Sequence, residues 1–178
     1  LDIAGHDAYA GLVAYGLRTH IAALWEHGAC LGEIADSANS KLVRRGTIAS
    51  GVLFALDHTS NRVEMVNAGH PPPLHVRGTH ADELTRTGPL FGLLGGEQQV
   101  RTLDVHPDDL LIVWSDGLIE ARPSGGDLLG DHLLRRLVTS RSSAPAQDIA
   151  DACIDLAVEH TASRLRDDAV VVVGRRRR

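Results

Sequence analysis

The stretch Leu110-Leu-Ile-Val-Trp114-Ser-Asp116-Gly117 decides how this chain is read. Five apolar residues ending in an acidic turn read as a buried strand that delivers Asp116 at its C-terminal end. A second run, Ala169-Val-Val-Val-Val173, has the opposite polarity, with Asp167 and Asp168 immediately before it. If the two strands lie antiparallel and adjacent, both acidic tips fall at the same end of one sheet. Asp2, just ahead of the turn Gly5-His6 and a helical segment, is placed to join them. Carboxylates gathered this way repel one another unless a cation neutralises them. Oxygen ligands of this kind suit a hard ion such as Mg²⁺ or Mn²⁺.

Composition narrows the class. With 178 residues the chain is read as one domain over residues 1–174, followed by a basic tail over residues 175–178. Hydrophobic residues make up 43% and charged residues 23%, the balance of an ordinary globular protein. The net charge is -5, and setting aside the terminal arginines leaves a still more acidic body, which repels nucleic acid. A metal-dependent nuclease is disfavoured on that ground. No run approaches the length of a membrane span and no signal peptide is visible, so a cytoplasmic location is expected. Cys30 and Cys153 have no metal-ligand spacing and are read as small buried hydrophobes in a reducing compartment. Leu1-Asp2-Ile3 reads as the end of a strand, which implies sequence upstream.

Helix is expected from Ala8 to His27, with Asp7 at the N-cap, Val13, Leu17, Ile21 and Leu24 on one face, and Gly28 as the stop. Gly11 and Gly16 inside it point to close packing or to a helix that moves. A second helix, Leu31 to Arg45, carries the stripe Leu31, Ile34, Ala38 and Leu42 and completes an αα-hairpin. From Thr47 the period changes. Val52–Leu56 and Arg62–Val66 flank a polar turn as a β-hairpin, and Pro71 to Pro73 then break the ladder. Strands are expected at Leu74–Arg77, Glu83–Thr87, Val100–Val105 and Leu110–Trp114, helices at Asp131–Ser140 and Pro145–Thr161, and a final strand at Ala169–Gly174. The order argues for an α+β fold with mainly antiparallel sheets.

Four motifs in order give the chain a family likeness: Asp2-Ile-Ala-Gly-His6, Asn67-Ala-Gly-His-Pro-Pro72, Ser115-Asp-Gly-Leu-Ile-Glu120 and Arg166-Asp-Asp168. Together they resemble the SpoIIE/RsbU-type branch of the PP2C-like, metal-dependent serine/threonine phosphatases. The resemblance implies a sandwich of two antiparallel β-sheets flanked by helices, here lacking its N-terminal strands. It implies two Mn²⁺ or Mg²⁺ ions, with Asp2 bridging them, the Ile3 carbonyl on the second, Asp116 and Asp167 completing the first, and Asp168 tuning the site from beside it. His6 stands near the bound phosphate or packs under the helix. Asp7, where the family has glycine, caps the helix or adds a carboxylate. His70 is a polar neighbour of the site or a turn element, and Glu120 reads as a loop residue. Gly5 and Gly117 accompany the metal-binding turns. The upstream acidic motif that the family normally carries would precede the first residue here, which leaves open a truncated sequence or a degenerate member.

The implied function is hydrolysis of a phosphoserine or phosphothreonine protein, by resemblance a STAS-type anti-sigma-factor antagonist in bacterial partner-switching and stress regulation. An upstream sensor domain and a homodimer are part of that expectation. The alternative is a catalytically weak or inactive phosphatase-like binding module, which the missing acid and Asp7 favour.

Overall fold

The computed structural model describes residues 1–178 apart from His6, His58, Ser163 and Arg178. The chain divides into two compact units, the first being residues 1–70 with 85–104 and the second residues 71–84 with 105–178. Each holds one antiparallel four-stranded sheet, and the described helices number five, an α+β architecture.

In the first unit, β1 (Asp2–Ile3) leads into α1 (Ala8–Glu26) and α2 (Leu31–Arg45), followed by β2 (Ala49–Leu56) and β3 (Arg62–Ala68). Asp7 caps α1 by accepting a 2.8 Å hydrogen bond from the Ala10 N–H. Gly28, at φ +81°, turns the chain out of α1. Glu33 reaches back to the Cys30 N–H to start α2, and Gly46 ends it in the left-handed conformation. The αα-hairpin lays Val13 and Leu17 of α1 and Leu31, Ala35, Ala38 and Leu42 of α2 in a core with Ala49, Val66, Ala68 and Phe91. Two readings change here. Cys30 is exposed, so only Cys153 is a buried thiol. A Cβ on Gly11 or Gly16 would meet nothing within 4 Å, so close packing does not account for either glycine.

Chain 85–100 is pinned to α2 by side chains that the apolar stripe does not announce. Asn39 donates to the carbonyls of Leu94 and Gly96 and accepts from the Gly92 N–H, while Asp36 accepts from the Gln98 N–H. The sheet is completed by β6 (Arg101–Asp104), in the order β1-β2-β3-β6 once its outer member is reached.

The second unit is built from β4 (Leu74–Arg77), β5 (His80–Glu83), β7 (Leu110–Trp114) and β8 (Val171–Arg175), ordered β5-β4-β7-β8. The strand expected over 83–87 lies earlier, because Gly78-Thr79 forms a two-residue hairpin loop with Gly78 at φ +59° and pairs Arg77 with His80. A single turn, α3 (Asp116–Ile119), follows β7. Then come α4 (Gly130–Ser140) and α5 (Ala146–His160). Leu110, Ile112 and Trp114 point into a core shared with Leu134, Val138, Ile149 and Cys153. Burial pushes the Cys153 thiol up to about 11, which keeps it protonated and inert. β8 runs into the arginine run, and Arg175 donates to the carbonyls of Asp108, Ser142 and Ala144, so the basic tail begins inside folded structure.

At the far end of this sheet from Asp116, Asp109 is buried. It accepts hydrogen bonds from Arg77, from His75 and from the His106 N–H. Burial alone would raise the carboxyl; those donors outweigh it and hold it down to about 2.

Candidate functional site

The second unit brings two of the acidic motifs together. Trp114 pairs with Val171 in the β7–β8 ladder, so the C-terminal end of β7 and the N-terminal end of β8 share one edge. Ser115 ties those ends. Its N–H donates to the Val170 carbonyl at 2.9 Å, its hydroxyl donates to the Asp168 carbonyl at 3.1 Å, and the same oxygen accepts from the Val170 N–H at 3.0 Å. Val170 spends both its N–H and its carbonyl on this fastening, and regular pairing starts at Val171.

Gly117 makes the approach of the tips possible. A Cβ there would stand 2.4 Å from the Asp168 carbonyl oxygen and 3.3 Å from the Asp167 Cβ. The absent side chain is the space into which the Asp167-Asp168 backbone fits. Asp116 accepts from the Gly117 N–H at 2.9 Å and Asp167 from the Asp168 N–H at 2.8 Å, which fixes both carboxylates against their own turns. Asp116, Asp167 and Asp168 are all solvent-exposed, and among the described residues no cationic side chain pairs with them. Exposed carboxylates on adjoining turns, offering oxygen alone, are the donor type that a hard divalent cation takes.

The first unit carries the other half of the motif set. Ile3 is buried and Asp2 exposed on β1, whose register sets Asp2 opposite Ser50 and Ile3 opposite Ala49. Gly5 takes φ +107°, a conformation that other residues rarely adopt. His70 is buried and shares a 2.9 Å hydrogen bond with Ser50, while its N–H donates to Asn67 Oδ1. The His70 ring thus bonds Ser50, the residue that faces Asp2 across the ladder. His6 lies outside the described residues. Asp7 is engaged as a cap, the simpler of its two readings.

Among the described residues, no group of three His, Cys, Asp or Glu side chains stands as a ready cation cage. The parts that motif reading left without a role are Ser115, Ser50 and Asn67. Ser115 was quoted inside its motif, but a serine that bridges two strand ends has no local sequence signature.

The sequence matches the family model of Stage II sporulation protein E over residues 1–177. Among solved structures, the chain is similar to the RsbU and RsbW domains of a Mycobacterium tuberculosis protein, with 26% identity and a TM-score of 0.84 over 99% of this chain and 50% of that one. It is similar to the SiaA PP2C domain of Pseudomonas aeruginosa, with 16% identity and a TM-score of 0.85 over 97% and 72%. It is also similar to the PP2C phosphatase domain, with a regulatory-domain fragment, of the Bacillus subtilis cell-fate determinant SpoIIE, with 21% identity and a TM-score of 0.81 over 96% and 51%. The chain thus spans half the length of the first of these.

Proposed function

As this chain belongs to the Stage II sporulation protein E family, we propose that it is a metal-dependent phosphatase acting on phosphoserine or phosphothreonine in a protein. The observation that carries the reading is the keyed pair of acidic tips, Asp116 against Asp167 and Asp168, with Gly117 as the clearance between them. On this reading Asp2, Asp116 and Asp167 are the metal-ligating carboxylates of the family pattern, with the Ile3 carbonyl as a further ligand. Asp168 orients Asp167 from the adjoining position. Mn²⁺ or Mg²⁺, two ions in the family pattern, would supply a bound water of lowered pKa and neutralise the phosphoryl oxygens. Hydrolysis would move the phosphoryl group from the seryl or threonyl oxygen to a water oxygen, the water giving up one proton and the leaving oxygen taking one up. The chain's own part is to hold the carboxylates that repel one another until a cation is present.

The substrate is proposed to be a phosphorylated STAS-type anti-sigma-factor antagonist, with regulation through the αα-hairpin. α1 starts six residues after Asp2, so a shift of the hairpin moves a ligand. A cytoplasmic setting, an upstream sensor domain and a homodimer belong to the same proposal; among the described residues no helix is long and apolar enough to cross a membrane. The second reading, a phosphatase-shaped binding module, draws on the lack of a ready three-ligand cage among the described residues. Manganese-dependent release of phosphate from an aryl phosphate decides between them. Turnover that a chelator abolishes supports the enzyme, and full manganese binding with no turnover supports the module.

A further inference from the structure

Three arginines line one cavity in the second unit, beside the acidic tip. The cavity, of about 570 Å³, is walled by Arg122, Ser124, Thr161, Arg164 and Arg166. Arg166 directly precedes Asp167, and Arg122 lies on the chain that leaves α3, the turn that begins with Asp116. Arg166 donates to Ser124 Oγ at 3.3 Å, which joins the two walls. Among the described residues none of the three guanidiniums is paired with a carboxylate.

The backbone is shaped to present them. α5 ends against Thr161, and Ala162 takes φ +50°, a left-handed conformation that is uncommon outside glycine. The Arg164 N–H donates to the Thr161 carbonyl, closing the turn that carries Arg164 to the cavity. A helix C-terminus contributes about half a negative charge at this point. Three guanidiniums outweigh it severalfold. Guanidinium forks bind planar or tetrahedral oxyanions through two parallel hydrogen bonds. The size suits a side chain and its neighbours on an extended peptide.

We propose that this cavity is a specificity subsite that takes an oxyanion-bearing side chain of the protein substrate, flanking the phosphoseryl residue offered to the acidic tip. The subsite rests on the phosphatase reading for its substrate, but its charge chemistry stands apart from turnover. With a net charge of -5 the chain as a whole repels an acidic peptide, and this basic recess sets where one can dock.

The test uses the whole chain with Mn²⁺ and labelled nonapeptides centred on unphosphorylated serine, read by fluorescence anisotropy. Glutamate-flanked peptide should bind about tenfold tighter than a Ser/Gly-flanked one, with a preference that falls as salt rises. R122Q/R164Q should shrink that preference to within about twofold, while R122K/R164K keeps most of it. A peptide flanked by phosphoserine separates the two oxyanion sources: tighter binding than the glutamate peptide favours a phosphoryl group, and equal binding favours a carboxylate. Both support the subsite. Equal affinity for acidic and neutral peptides, or an acidic preference that survives R122Q/R164Q with an unchanged melting temperature, overturns it. If the double variant does not fold, R164Q alone should lose about half the preference, and its full retention counts against the subsite. Absence of aryl phosphate turnover alongside an intact acidic preference would overturn the phosphatase reading and leave the subsite standing.

Discussion

Replacing Gly117 by alanine tests whether the acidic tips are held by steric fit. The new Cβ would lie 2.4 Å from the Asp168 carbonyl oxygen. A carbon–oxygen contact closes no nearer than about 3.3 Å, so the two segments must part by roughly 1 Å. Backbone stands on both sides and no flexible side-chain end can give way. Overpacking of this kind costs about 1–3 kcal/mol, and reduced entropy of the unfolded chain returns about 0.4–1 kcal/mol. A net loss of about 1–2 kcal/mol is expected. The effect on function should be larger than the effect on stability, since the parting falls between Asp116 and Asp167. A displacement of about 1 Å at a reacting centre costs on the order of a hundredfold. Urea unfolding gives the first number and phosphate release the second, with manganese titration by calorimetry on the same preparation. Wild-type stability with wild-type manganese affinity would refute the idea that Gly117 provides the clearance.

Gly11→Ala should act in the opposite sense, raising stability by roughly 1 kcal/mol because its Cβ meets open space in a helix interior; thermal melts check it, and a lowered melting temperature would count against the packing described. Asp109 makes a prediction in pH. Its folded value, about 2, lies below the ordinary 3.8, so its stabilisation, about 2 kcal/mol, is complete above pH 4 and drains away as pH falls toward 2. Asp109→Asn should lose that amount at pH 7 and flatten the acid limb of a stability–pH curve; an unaltered limb would place the acid sensitivity elsewhere. His70→Ala should cost about 2 kcal/mol through the lost Ser50 contact and the cavity left behind, with His70→Gln recovering part of it in urea melts.

Much of the fold was legible because its signals are local. Leu110–Trp114 is a bare apolar run and became a strand with the same limits. Asp7 precedes a helix and caps it. The strand at His80–Glu83 has a single apolar residue, Ala81, so no apolar pattern announces it and only the Gly78-Thr79 turn sets its place. Asn39, in the middle of an apolar stripe, gave no hint that it fastens residues more than fifty positions away. The candidate site divides along the same line. The carboxylates announced themselves by position at strand tips, whereas Ser115 and Ser50 act through partners that only the folded chain brings near.

The most direct measurement of the central claim is phosphate release from a phosphoserine protein by the whole chain and by Asp116→Asn, with manganese varied from chelated to saturating. Turnover should require manganese and fall by at least about a hundredfold in the variant, because a neutral amide is a poor ligand for a hard cation, while the thermal melt stays as cooperative as in the wild type. Equal turnover of the two proteins at saturating manganese, or release of phosphate undiminished by chelator, would contradict it.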